Sequence, residues 1–101
     1  MTYILIPEVD RHFEWDQTKS DWNPVDRDLP FDLAVLLFNG PTLERRDTRQ
    51  DYRELRVQAI GAVNGTILQC VFTDRGEVRR IISLRRANKR ERDVYSKAFQ
   101  N

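Results

Sequence analysis

The stretch LRVQAIGAVNGTILQCVFTDRGEVRRIISL, residues 55–84, carries most of the fold information in this chain. Two β-rich runs, residues 55–63 and 66–73, flank Asn64-Gly65, a pair whose tolerance of positive φ makes it the strongest short hairpin signal. Asp74-Arg75-Gly76 supplies a second turn into residues 77–84. Strict alternation along that third run places Val78, Arg80, Ile82 and Leu84 on one face and Arg79, Ile81, Ser83 and Arg85 on the other. The expectation is a three-stranded antiparallel meander. Cys70 alternates with Leu68 and Phe72, so it reads as a buried core thiol rather than a reactive nucleophile.

Downstream, Asn88 and Glu91 have capping-box spacing, which predicts a last helix starting near Lys89. Its apolar side is Tyr95, Ala98 and Phe99, packed back on the sheet. Upstream, TLERRDTRQDYR (residues 42–53) is polar enough for a long loop, or adds a further strand around Leu43. Before it, Pro30 pre-sets φ for a helix in which Phe31, Ala34, Val35 and Phe38 form one buried stripe, stopped by Asn39-Gly40-Pro41. Asp16 is placed to cap an earlier helix over residues 17–23, which Pro24 limits. Phe13-Glu14-Trp15 reads as a short extended piece, and Tyr3 to Ile6 as a strand that Pro7 confines to an edge. The sum is an α+β chain: a short N-terminal strand, two helices, an antiparallel sheet of three to four strands and a C-terminal helix.

At 101 residues the chain has room for one domain, residues 1–101, with residues 1–12 an N-terminal extension of unassigned role. A 40% apolar and 33% charged composition is that of a folded, soluble protein. The longest apolar run, Leu33–Phe38, is far short of the roughly 20 residues that cross a bilayer, and the start has no basic n-region, so a cytoplasmic home is expected and no membrane partner. One cysteine and one histidine build neither a disulfide nor a thiolate or imidazole zinc site. Gly40, Gly61, Gly65 and Gly76 are too scattered for a phosphate loop or a dinucleotide fingerprint. Asp26, Asp28 and Asp32 faintly suggest a calcium loop, but its Gly and terminal Glu are missing and Pro30 interrupts it. His12 has no Ser or Cys partner in any motif and reads as a surface residue. No cofactor or metal is expected.

Charge is distributed unevenly. Residues 1–54 hold 7 Lys+Arg against 12 Asp+Glu, and residues 55–101 hold 10 against 4. The densest basic run, Arg79, Arg80, Arg85, Arg86, Lys89, Arg90 and Arg92, is mostly Arg, whose planar fork suits phosphate; a solvated face is the plain alternative. Such a basic edge beside aromatics suits binding and cleaving RNA. Cleavage by the 2′-hydroxyl needs a base, an acid for the departing oxygen and cations for the phosphorane. Glu54 and Arg56, two residues apart, share a face of an extended strand and make either such a base and cation pair or an ordinary surface ion pair. Trp15 is available to stack a base or to pack in the core.

These features bring a family into view. FEWD (residues 13–16), Lys19, Asn23, Phe31, Glu54-x-Arg56, Ile60-Gly61 and above all RIISLRRANKRER (residues 80–92) with Tyr95 resemble the BrnT toxins of bacterial type II toxin-antitoxin systems. The resemblance implies a RelE-like fold and a metal-independent endoribonuclease that cleaves mRNA and inhibits translation. It also implies a cognate BrnA-type ribbon-helix-helix antitoxin, operator DNA being bound only through the complex. Carried over residue by residue, it assigns Glu54, Arg56, Arg80, Arg85 and Arg86 to catalysis. Arg85 and Arg86 would hold the scissile phosphate, Arg56 and Arg80 neutralise developing charge, and Glu54 act as base or orient an arginine. Trp15, Lys19, Lys89, Arg90 and Tyr95 would contact RNA. The chain departs from the family at Asp26-Arg27-Asp28, where many members carry Lys-His-Gly. That departure motivates the alternative expectation, an inactive RelE-like module that docks an antitoxin or nucleic acid without cleaving.

Overall fold

A computed structural model describes residues 2–7, 11–26 and 29–99. The elements run β1 (Ile4–Ile6), β2 (His12–Trp15), α1 (Gln17–Asp21), α2 (Leu33–Phe38), β3 (Thr42–Arg46), β4 (Val57–Val63), β5 (Thr66–Arg75), β6 (Val78–Arg86) and α3 (Lys89–Ala98). The sheet is larger than the sequence suggests: six strands in the order β1-β3-β4-β5-β6-β2, antiparallel except for β2, which runs parallel to β6. The meander β4-β5-β6 is its centre, and the polar 42–53 segment supplies both the additional strand β3 and a loop. Asn64 and Gly65 take φ of 51° and 83°, the left-handed pair that a two-residue hairpin requires.

One face of the sheet is the core. α2 lies against β4 there, and a Cβ on Gly61 would meet Leu37 Cγ at 2.9 Å, so the helix seats directly on that backbone. Phe31, Ala34, Leu37, Phe38, Ala59, Leu68, Cys70, Phe72, Ile81 and Leu84 close the core. The buried stripe therefore uses Leu37 where periodicity pointed to Val35, which is only half-buried. The reason is the short helix: it begins at Leu33, so Phe31 joins the core from the preceding turn rather than as part of one continuous helical face. Buried Asn23 holds the α1–α2 connection by donating to the Leu29 and Leu84 carbonyls and accepting from the Val25 and Asp26 amides.

Strict alternation on β6 is also corrected. The register passes from Val71↔Ser83 to Phe72↔Ile81 and leaves Ile82 as an extra residue, a β-bulge. Arg79, Ile81 and Leu84 consequently share the core face, while Arg80 and Arg85 come to the opposite one. Lys19 Nζ donates to the Ile82 carbonyl at 2.6 Å, satisfying the group that the bulge leaves off the ladder. α3 starts with the expected capping box, Asn88 and Glu91 bonding reciprocally. Its sheetward side is Glu91, Val94 and Tyr95; Ala98 and Phe99 are exposed, correcting their place on the packed apolar face, because they stand at the far end of α3, Phe99 already at its cap.

Candidate nucleic-acid interface

Four segments deliver a charged cluster to the face opposite α2. β2 sets Glu14 across from Arg80 of β6, which pairs in turn with Thr73 of β5. Arg75 ends β5, and Glu54 and Arg56 sit in the segment entering β4, just before its first residue rather than within it. The ion pairs form a chain: Arg56 Nε to Glu54 at 3.1 Å, Arg75 to Glu54 at 3.4 Å, Arg75 to Glu14 at 3.9 Å and Arg80 to Glu14 at 3.4 Å. Glu54, Arg56, Arg75 and Arg80 line one open depression of about 200 Å³, with Asp16 and Lys19 of the α1 start on its rim. Glu14 does not line it and instead holds two of its arginines from the side.

The loop before β4 is built to present this pair. Asp47 is fully buried and accepts two side-chain hydrogen bonds from Arg49 and one from Tyr52. Tyr52 lies beneath Arg56, whose guanidinium carbon is 4.0 Å from the ring centroid. Arg53 adopts φ 58°, which turns the chain into Glu54. Arg56, with Arg75 behind it, holds the Glu54 carboxyl below the usual carboxylate range, so it is ionised at neutral pH. In such a cluster the carboxylate can accept a proton while the guanidinium groups around it bind a phosphate.

The remaining residues singled out from sequence lie elsewhere. Arg85 forks both oxygens of Glu91 at 2.8 and 2.9 Å, which fastens α3 to β6. Arg86 bonds Asp26 through its side chain at 2.7 Å and its amide at 3.2 Å. Arg27 and Asp28 lie outside the described residues. Lys89 is exposed and paired with Asp93 at 2.9 Å, Arg90 is exposed, and half-buried Tyr95 stacks near Phe99 with centroids 4.5 Å apart. Trp15 sits against the core, on the α2 side, and donates Nε1–H to Gln17. Lys19 reaches the cluster's rim with its ammonium engaged at Ile82. His12 is exposed and pairs with Val78, two residues before Glu14 on β2. Cys70 is fully buried, and burial pushes its thiol far up, away from nucleophilic use.

Sequence reasoning missed Arg75 and Glu14 as members of the cluster. Arg75 stands within a turn signal, and Glu14 within FEWD; only the parallel pairing of β2 with β6 brings them together. Among the described residues no group of three metal-ligating side chains gathers, and no helix is long and apolar enough to cross a membrane.

A family model described as the ribonuclease toxin, BrnT, of type II toxin-antitoxin systems matches residues 15–91. The match takes in Lys19, Glu54, Arg56, Arg75, Arg80, Arg85 and Arg86. No individual curated protein matches the chain.

Proposed function

The chain belongs to the BrnT family of ribonuclease toxins of type II toxin-antitoxin systems, and from that membership we propose a RelE-like endoribonuclease that cleaves mRNA without a metal and so inhibits translation. The observation that carries this reading is the Glu54–Arg56–Arg75–Arg80 cluster on one open sheet face. Glu54 accepts the 2′-hydroxyl proton as that oxygen attacks phosphorus, and the 5′-oxygen departs, leaving a 2′,3′-cyclic phosphate. Arg56 and Arg80 donate to the phosphorane oxygens as charge builds, the role for which fixed guanidinium forks are suited. The departing oxygen takes up a proton; the chain's one imidazole, His12, lies on the cluster's edge strand.

In this reading a cognate BrnA-type ribbon-helix-helix antitoxin neutralises the toxin in the bacterial cytoplasm, and operator DNA is met only through the complex. Arg85 and Arg86 would have to leave Glu91 and Asp26 to hold a phosphate. The competing reading, an inactive docking module, draws on those same pairs and on the acids of the Asp26 segment.

The test is cleavage of an end-labelled RNA in EDTA by antitoxin-free protein, alongside Glu54→Gln, Arg56→Ala, Arg80→Ala, His12→Gln and the Arg85→Ala/Arg86→Ala double variant. Loss of roughly a hundredfold or more in the Glu54 and Arg56 variants is expected. A base must be deprotonated and Glu54 is held low, so activity should persist down to about pH 4.3, the ordinary Glu value, and fall only below it. Intact RNA with every form of the protein would leave the docking module.

A further inference from the structure

The same sheet face carries a second concavity, of about 340 Å³, lined by Tyr3, Arg45, Asn88, Arg90, Glu91 and Val94. The pairing register fixes its distance from the cluster. Arg45 of β3 pairs with Gln58 of β4, and Gln58 follows Arg56 by two residues on the same face. Arg45 on β3 and Arg56 at the entry to the neighbouring β4 therefore stand one same-face row apart, about 7 Å along the strands at the usual rise, a spacing of the order of one phosphate-to-phosphate step along a single nucleic-acid strand, while Arg80 lies two strands beyond β4.

The charges at this concavity are uncompensated in a way the cluster's are not. Glu91 is its one acid, and both of its oxygens are forked by Arg85, one of them also taking the Asn88 amide. Burial alone would raise its carboxyl, but those bonds bring it below the usual range, so it stays an anion committed to Arg85. Arg45 is held over the Tyr3 ring, guanidinium carbon 4.5 Å from the centroid, with Nε–H donating to Gln58 at 2.9 Å. Its two Nη groups have no hydrogen-bond partner and no carboxylate within ion-pair distance among the described residues; the same is true of the exposed Arg90. A stacked guanidinium whose outer nitrogens are oriented and free, beside a second free guanidinium, is a seat for a phosphodiester.

We propose that Arg45 and Arg90, with Tyr3 holding Arg45 in place, form a second phosphate-binding subsite that takes the RNA strand one nucleotide step from Arg56, at the near side of the Glu54–Arg56–Arg80 cluster. The proposal rests on the ribonuclease reading for the identity of the strand, and it gives a function to Tyr3 in the N-terminal extension. Arg45 and Arg90 bind the flanking phosphate, and Tyr3 is a positioning residue.

The probe is a fluorescein-labelled eight-nucleotide 2′-O-methyl RNA, which lacks the attacking hydroxyl and so reports binding alone, read by anisotropy across a salt series. Arg45→Gln/Arg90→Gln is expected to weaken binding by roughly tenfold and to reduce the slope of log K against log salt by about 0.7, the loss of one single-strand phosphate contact. The double variant should also lose the gain in affinity that the native protein shows when the probe is lengthened from two nucleotides to eight. Arg90→Gln alone, at a side chain with no contacts to lose, should show part of the effect and removes misfolding as an explanation. Tyr3→Phe should bind as the native protein does, and Tyr3→Ala more weakly.

Native affinity and slope in the double variant would overturn the subsite, as would a native protein that does not bind the probe. So would a double variant that binds RNA normally but escapes the antitoxin, which would assign the surface to a protein partner. A native protein that binds the probe through Arg45 yet leaves unmodified RNA uncut would retain the subsite and sink the ribonuclease reading. Cleavage by the native chain with unaltered binding by the double variant would do the reverse.

Discussion

Arg79 carries a charge into the core side of the sheet, and each of its contacts reduces the cost. Its guanidinium forks Asp74 at 2.8 and 3.0 Å and lies against the rings of Phe72 and Phe38, 3.8 and 4.7 Å from their centroids, while Nη1 is buried without a hydrogen-bond partner among the described residues. Removing one member of such a pair is worse than removing both, because it strands a desolvated charge. Asp74→Ala should therefore lower unfolding free energy by about 3 kcal/mol, read from urea denaturation. Arg79→Met, which keeps the stem between the rings and deletes the orphan donor, should cost about 1 to 2 kcal/mol. The opposite order would mean that ring stacking, not the ion pair, dominates. Glu54 shows the same physics at the proposed site: its hydrogen bonds keep it charged and would correspondingly weaken it as a base.

At the scale of elements, the hydrogen bonds that sequence reveals are the local ones. Asn64-Gly65 and the Asn88–Glu91 box were legible because a turn or cap is fixed by residues within four positions of each other. The pairing of β2 with β6 was not legible, since His12 and Val78 are joined only by the fold and a four-residue strand carries no register signal. The Ile82 bulge was equally hidden: RRIIS reads as clean alternation, and the Ile82 carbonyl is met by Lys19 from α1, a partner far away in sequence. For the site this meant that the Glu54–Arg56 pair could be read as local spacing, whereas its extension through Arg75 and Glu14 could not. Gly61 tests the layer packing. A methyl there would stand 2.9 Å from Leu37 Cγ and 3.1 Å from Thr42 Cγ2, so Gly61→Ala should push α2 off β4 and cost about 1 to 3 kcal/mol in thermal or urea unfolding. In a Leu37→Ala background, which lacks that Cγ, Gly61→Ala should cost less than it does in the native chain; an unchanged cost would place the strain at Thr42 or in the backbone instead.

Over the whole molecule the uneven sequence charge is largely folded away. Acids of the N-terminal half meet bases of the C-terminal half: Glu14 with Arg75 and Arg80, Asp26 with Arg86, Glu54 with Arg56 and Arg75. A run of arginines in sequence is thus not a continuous positive surface, and under the proposed ribonuclease function RNA must displace or share these carboxylates to bind. Glu14 is the clearest case, because it holds Arg75 and Arg80 without lining the depression. Glu14→Gln removes an anion beside the proposed phosphate site and frees Arg80, Arg75 keeping its pair with Glu54, so it should tighten binding of the 2′-O-methyl probe about two- to fivefold at low salt, with a steeper salt dependence. The same change releases Arg80 from its orientation, so single-turnover cleavage at saturation should slow by about tenfold. Tighter binding with slower chemistry is the signature of a carboxylate that trades affinity for geometry. Weaker binding together with slower cleavage would instead mean that Glu14 holds the edge strand on the sheet, and that the cluster disperses when β2 leaves β6.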